Sequence, residues 1–334
     1  MKKKISFNDH IFIAGSSGMA GGAIKKKLLH YGYGDPNFKG RLLTPSRKEL
    51  DLLNYSETEN WFKNNHPTVV IIAAAKVGGI AANSSYPSDF ILNNLKIQTN
   101  LIELSWRFKV KRLLFLGSSC IYPKFANQPL KEDYLLDGQL EPTNQWYAIA
   151  KIAGIKLCES LRIQHNFDAI TLMPTNLYGP GDNYDPDNSH VMAALIRRFY
   201  NASVNNLQSV TCWGSGKPLR EFMHVDDLGE AVVFALENWD PNSKNAPSNK
   251  KGEKLSFLNV GTGEDISIRE LAGKIALATN YKGEILWNSD KPDGTPKKQL
   301  DISNLKKLGW NPRIGLDEGI KKTVKDYESQ QVKS

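Results

Sequence analysis

Cysteine is scarce, with only three in 334 residues. Cys120, Cys158 and Cys212 lie far apart, are odd in number and show no metal-ligand spacing. That argues against a disulfide framework and fits a reducing compartment, the cytoplasm. Long apolar runs are missing too: none reaches the roughly 18 uncharged apolar residues that a membrane span requires. The opening MKKKISFNDHIFIAG starts basic, but Asn8, Asp9 and His10 interrupt it and IFIAG is only strand-length, so it does not read as a signal peptide. The histidines show no HExxH-type spacing, and no metal is expected. GSGKP, Gly214 to Pro218, lacks both the upstream glycine and the hydroxyl residue after lysine that a P-loop needs. The net charge is +8. The lysines sit in short scattered groups (Lys2 to Lys4, Lys25 to Lys27, Lys250 and Lys251) without interleaved aromatics. A solvated surface that favours anionic small molecules is a better reading than nucleic-acid binding.

What is present is an alternation. HIFIAG, RLLTPS, TVVIIAAA, RLLFLGSS and DAITLMPTN are apolar runs with little polar alternation, as strands buried on both faces require. Helix-like segments separate them: GGAIKKKLLHYG, SETENWFKNN, NNLKIQTNLIELSWRFK and YAIAKIAGIKLCESLRIQ. This order predicts an α/β, Rossmann-type doubly wound parallel sheet. After Pro174 the pattern loosens into NLYGPGDNYDPDNSH, a loop. Helices follow at VMAALIRRFYNAS and HVDDLGEAVVFALEN, the latter with Asp226 or Asp227 near its N-cap. The tail, with IRELAGKIALAT and DEGIKKTVKDY, predicts a smaller C-terminal α/β substrate lobe. The expected division is a Rossmann domain at 1–175, with 225–260 returning to it, and a lobe from 176–224 and 261–334. No internal repeat is found.

Three glycines at three-residue spacing, Gly15, Gly18 and Gly21, follow the first strand and open a helix. Here backbone must approach a pyrophosphate and the helix start supplies N–H donors, so the context suggests a dinucleotide site rather than a simple tight turn. A carboxylate after the second strand would hold the ribose of NAD and repel the phosphate of NADP. This chain offers Arg47 and Lys48 there, which favours NADP over the alternative of two exposed helix-start cations; Asp51 is within reach of the adenine edge. Tyr147 and Lys151 lie four apart on one helical face. A phenol with pKa of about 10 is a poor acid–base catalyst at neutral pH. A neighbouring ammonium and an oxidised nicotinamide are expected to lower that value. Taken alone, YxxxK arises by chance. Ser118 on the preceding strand end gives it context.

The glycine loop, the Ser118, Tyr147, Lys151 arrangement and PTNLYGPG resemble the extended short-chain dehydrogenase/reductase family, the nucleotide-sugar modifiers. AAAKVGGI, GSSCIYPK, LEPTN, YAIAKIAGIKLCES, MPTNLYGP, NSHV, WGSG, REFMHVDD and KPDGTPKK narrow the match, from Gly15 to about Lys298. The narrower branch inverts C3 and C5 of a GDP-bound 4-keto-6-deoxy sugar and then reduces C4 with NADPH. The resemblance implies a homodimer packed through helices near 95–108 and 147–163. It implies cofactor contacts from Gly15, Ser16, Ser17, Gly18, Met19, Ala20, Gly21, Arg47, Asp51, Leu116, Gly117, Ser119, Lys151, Pro174, Thr175, Asn176, Leu177 and His190. Asn176 is also placed to reach the sugar. Family members often carry an arginine before the second glycine and a basic residue at the end of strand two. This chain has Ser17 and Pro45 there, leaving Arg47 as the anchor.

Both inverted carbons are α to the ketone, so inversion needs a base on one ring face and an acid on the other. The resemblance assigns Cys120 as base and His190 as acid. A thiol serves as a base when positive charge favours the thiolate, and imidazole titrates near neutrality. Without the resemblance, Cys120 would read as a buried filler and His190 as a loop or cap residue. Ser118 and Tyr147 are expected to bind the C4 oxygen, with Tyr147 as its proton donor; Ser119 is an adjacent rival to Ser118. Arg198 and Arg220 match diphosphate-binding positions and Trp213 and Asp293 substrate contacts, with Lys298 a further contact. Ordinary alternatives are a polar helix face for Arg198 and core packing for Trp213. Other readings are a 4-epimerase or 4,6-dehydratase that recycles bound NAD, and an NADPH-sensing binding protein.

Overall fold

The computed structural model describes residues 3–186, 189–290 and 293–332, so Asn188 of NSHV and Lys291 and Pro292 of KPDGTPKK lie outside the described residues. The first half runs β1 (His10–Ala14), α1 (Met19–His30), β2 (Arg41–Leu43), α2 (Tyr55–Asn65), β3 (Val69–Ile72) and α3 (Ile80–Ser85). It continues with α4 (Pro87–Arg107), β4 (Arg112–Leu116), α5 (Gln145–His165) and β5 (Ala169–Pro174). Beyond lie β6 (Asn176–Tyr178), α6 (Val191–Val204), β7 (Ser209–Trp213), β8 (Leu219–His224), α7 (Val225–Asn238) and β9 (Phe257–Val260). The chain closes with β10 (Asp265–Ser267), α8 (Ile268–Ala278), β11 (Glu284–Asn288), β12 (Lys297–Lys298), α9 (Ser303–Lys307) and α10 (Leu316–Gln331).

A six-stranded sheet in the order β2-β1-β3-β4-β5-β9, parallel throughout, is the predicted doubly wound core. Every residue of β3, β4 and β5 is buried, which is why their sequences show no polar alternation. Chain order reverses between β1 and β3, and crevices form outside the carboxyl ends of strands at such a switch point. The glycine loop, Ser118 and Thr175 follow β1, β4 and β5 at that end.

The long helices hold this edge still. α4 begins at Pro87, six residues earlier than the apolar period predicts, because proline is pre-shaped for a first turn. It packs on α5, where a Cβ at Gly154 would stand 2.7 Å from Phe115, so the missing side chain lets α5 lie on β4. The N-cap of α7 is His224, whose Nδ1 accepts from the Asp226 N–H at 3.2 Å; Asp226 and Asp227 fall inside the first turn. Asp227 instead accepts the N–H groups of Arg313 and Ile314.

A second apolar cluster gathers Met192, Leu195, Ile196, Phe199, Phe222, Leu271, Ile275, Val324 and Tyr327 from α6, β8, α8 and α10. Leu300, Ile302, Leu305 and Trp310 pack instead on the core of the large sheet. The chain around β12 therefore bridges both clusters. β12 pairs with β8 in parallel, placing Lys298 opposite Arg220.

Candidate active site

The turn after β1 explains its own glycines. Gly15 sits at φ +85°, and a Cβ there would stand 2.7 Å from the Ala74 nitrogen. A Cβ at Gly21 would stand 2.1 Å from the Gly15 carbonyl oxygen, so α1 starts this close to β1 only without one. Gly18 differs, because the nearest atom to a Cβ there is the Gly15 oxygen at 3.6 Å, an ordinary contact. Its bareness serves no packing within the chain. Gly18 is also the N-cap of α1, which has no side-chain cap and no acidic residue in its first turn. The helix's first N–H groups and positive end face no competing anion, and a bare cradle of this kind fits a dinucleotide pyrophosphate. At the end of β2, Arg47 and Lys48 are exposed. Among the described residues no ion pair or hydrogen bond engages the Arg47 guanidinium. Asp51 turns inward, its Oδ1 accepting the Leu53 N–H at 3.1 Å.

Past β4 the chain does not stay extended, as the sequence suggested. It folds into a 3₁₀ turn, Ser119–Ile121, because the Ser118 hydroxyl accepts the Cys120 N–H at 3.2 Å. This lifts Cys120 off the strand, half-buried in the wall of a cavity shared with Ser119, Lys124, Glu141, Thr295 and Lys298. Ser119 is itself buried. Lys298 Nζ stands 3.2 Å from Cys120 Sγ. Burial raises the pKa of the thiol, but the Lys298 charge, hydrogen bonds from Ser118 and Lys298, and the Arg220 charge outweigh it and hold the pKa below that of an ordinary thiol.

On α5, Lys151 is buried and donates to the Leu116 carbonyl at 2.8 Å. Burial drives its pKa down to about 7. Its Nζ lies 5.7 Å from the centre of the Tyr147 ring. The expectation that Lys151 lowers the pKa of the phenol is not met by the protein alone. Burial, joined by the negative charge of a Cys120 thiolate, pushes Tyr147 up, and its hydrogen bond with Ser118 only partly opposes this. Tyr147 is thus a neutral phenol, a proton donor rather than a base.

His190 is the N-cap of α6, yet its side chain caps nothing, and the residue is exposed. Close surroundings and then the Lys298 charge push its pKa below the usual imidazole value. Arg220 on β8 is half-buried and donates to the Leu219 carbonyl at 2.8 Å. Half-buried Arg198 lies against exposed Trp213, the guanidinium 5.2 Å from the centre of the indole. The Asp293 oxygens are taken by Ser215, at 2.7 Å from its N–H and 2.8 Å from its hydroxyl. Asn176 spends its amide on the Glu221 carbonyl at 2.7 Å, and Thr175 donates to the same oxygen at 3.2 Å. One amide N–H is used in this way, and an asparagine side chain has a second N–H and an acceptor oxygen besides. Gly117 donates to Leu172, and a Cβ there would press on Met173 at 3.2 Å.

Two residues important to the site escaped the sequence reading. Glu221 is fully buried, and its carboxylate accepts the N–H groups of Thr262, Gly263 and Leu300 at 2.6, 2.9 and 2.6 Å. It pins the chain directly after Lys298 to the strand that carries Arg220. An acid directly before the buried run FMHV was the available signal. Glu141 pairs with Lys124 at 2.9 Å and accepts from Thr295 at 3.2 Å, closing the cavity's rim. Such long-range partners leave no mark on local spacing.

Residues 11–249 match the NAD dependent epimerase/dehydratase family. Over 317 residues the chain is 50% identical to GDP-L-fucose synthase 1 of Arabidopsis thaliana, covering 95% of this chain and 92% of the relative. Identity to the GDP-L-fucose synthase of Escherichia coli (strain K12) is 47% over 325 residues, covering 96% and 97%. The solved GDP-mannoheptose C4 reductase from Campylobacter jejuni, with NADP bound, superposes with a TM-score of 0.84 at 36% identity, covering 97% and 99%.

Proposed function

We propose that this chain, which belongs to the NAD dependent epimerase/dehydratase family, converts GDP-4-dehydro-6-deoxy-D-mannose to GDP-L-fucose. It inverts C3 and C5 and then reduces the C4 ketone, consuming NADPH. The observation that carries the reading is the Cys120 thiol, held beside the Lys298 ammonium at 3.2 Å in the same site as Ser118, Tyr147 and Lys151. A reductase alone has no use for a thiol favoured as thiolate.

The roles follow from the chemistry of each group. The Cys120 thiolate takes the proton from a carbon α to the ketone, and the electron pair moves to the C4 oxygen. His190 as imidazolium returns a proton to the opposite face. Ser118 and Tyr147 stabilise the developing oxyanion. Because its pKa is raised, Tyr147 keeps its proton until the oxygen needs it. Arg198 and Arg220 suit the diphosphate, since guanidinium forks match its oxygens. Trp213, Asp293 and Lys298 complete the substrate side. Gly15 to Gly21, Arg47, Asp51, Leu116, Gly117, Ser119, Lys151 and the turn Pro174 to Leu177 hold the cofactor, which when bound supplies the hydride. Among the described residues the Arg47 guanidinium has no protein partner, and it suits the extra phosphate of NADP.

The proposed division remains a Rossmann domain of 1–175 with 225–260 and a substrate lobe of 176–224 with 261–334. Exposed Leu92 on α4 and Ile149 and Ile163 on α5 support a homodimer through those helices. None of the described helices is long and apolar enough to cross a membrane, and a cytoplasmic setting suits three free thiols.

Incubation with the keto-sugar and NADPH, with NMR of the sugar, tests the assignment. GDP-L-fucose should form with one NADPH consumed per turnover. Turnover without NADPH consumption would favour a 4-epimerase or 4,6-dehydratase that recycles its cofactor.

A further inference from the structure

Resting on the reading of Cys120 as base, we propose that Lys298 is the positioning residue that keeps this thiol ionised, rather than only a contact to the substrate. The placement of the lysine is built, not incidental. Side chains alternate along a strand, and Lys297 turns away to pair with Asp265 at 3.1 Å while Lys298 faces Cys120. The backbone beyond is fixed on three sides. Gln128 accepts the Gln299 N–H at 3.0 Å, the Gln299 amide donates to Gly263 at 2.6 Å, and Glu221 accepts the Leu300 N–H at 2.6 Å. Among the described residues none offers the Lys298 ammonium a carboxylate partner, and the acceptor it meets is the Cys120 sulfur.

Other groups around the thiol do not replace it. Arg220 from β8 acts at longer range and contributes less than Lys298. Tyr147 from α5 is neutral, Ser118 only hydrogen-bonds, and Lys124 is paired with Glu141 across the cavity. His190 feels Lys298 as a repelling charge.

The proton balance gives the lysine a purpose in both states. When the sugar's C–H bond breaks, an S–H bond forms and the negative charge leaves sulfur for the C4 oxygen. Lys298 stabilises the thiolate before the transfer and leaves an unpaired cation beside the new oxyanion after it.

The test is the pH dependence of iodoacetamide alkylation of the holoenzyme. Cys158 and Cys212 are buried, and Cys120→Ser supplies the blank. Lys298→Met should raise the midpoint of Cys120 alkylation by about one pH unit or more, the range for removing an opposite charge at this distance. Lys298→Arg should restore most of the shift. If Lys298→Met does not bind NADPH and so is not folded, Lys298→Gln deletes the charge while keeping a donor and reads the same shift. An unchanged midpoint in the folded charge-deleting variant overturns the proposal, and a raised KM with that unchanged midpoint assigns Lys298 to substrate binding alone. The parent reading fails separately, if Cys120→Ser still inverts the sugar while the wild-type midpoint stays sensitive to Lys298.

Discussion

Replacing the Cys120 sulfur with oxygen should separate the two halves of the reaction. Cys120 is half-buried and belongs to neither apolar cluster, so Cys120→Ser removes little packing. The Ser118 bond is to the Cys120 backbone N–H, which the substitution keeps. The variant should bind NADPH normally and melt within a few degrees of wild type. What changes is proton affinity. A serine hydroxyl beside Lys298 stays protonated at neutral pH, whereas the thiol is biased toward thiolate by a cation 3.2 Å away. Loss of a positioned base costs roughly 10²- to 10⁴-fold, or about 3 to 5 kcal/mol in the barrier. The assay is uptake of solvent deuterium at C3 and C5 of the keto-sugar in D₂O, followed by NMR without reducible turnover. Uptake should fall by that factor, while reduction of the C4 ketone by NADPH continues and leaves carbons of the original handedness. Deuterium uptake at the wild-type rate would refute the reasoning, because some other group would then be the base.

Tyr147→Phe should weigh on the other half: NADPH oxidation drops by about 10²- to 10⁴-fold, while deuterium exchange, which keeps the Cys120 base and the Ser118 hydroxyl, falls less; stopped-flow absorbance of the cofactor checks it. Arg47→Ala should raise the KM for NADPH by roughly tenfold or more, as loss of a charged hydrogen bond predicts, and leave that for NADH nearly unchanged. Equal effects on both cofactors would remove Arg47 from the phosphate. Deuterium exchange should follow a bell in pH. Its acid limb marks loss of the Cys120 thiolate as pH falls, and its alkaline limb marks loss of the His190 imidazolium as pH rises. Both pKa values are lowered, so the bell as a whole should sit at lower pH than an ordinary thiol and imidazole pair would give. A profile governed by one ionisation would sink the acid–base pair.

How much of this was legible in the chain varied with distance along it. The parallel sheet was readable because β1, β3, β4 and β5 are buried on both faces, and such strands cannot hide their composition. The glycine loop was readable for a related reason: two of its glycines admit no side chain and the third keeps a helix end bare. The 3₁₀ turn at Cys120 was not, because one serine hydroxyl decides between strand and turn. The rise in the Tyr147 pKa was not legible either, because spacing reveals that Lys151 is near but not that the phenol is enclosed and faces the Cys120 sulfur. The Lys298 contact with sulfur joins β12 to the turn after β4, and only the pairing of β12 with β8 brings them together.

The route by which the sheet is completed has a consequence for synthesis of the chain. β5 is wholly buried and finds its outer neighbour only in β9, after the chain has left to build β6, β7, β8 and α7. While a ribosome is still translating that excursion, the nascent polypeptide carries an apolar strand with unpaired amides along one side, the kind of edge that recruits other chains. Messages truncated before Phe257 should therefore yield insoluble product, and chaperone dependence should be greatest during the span just before that codon.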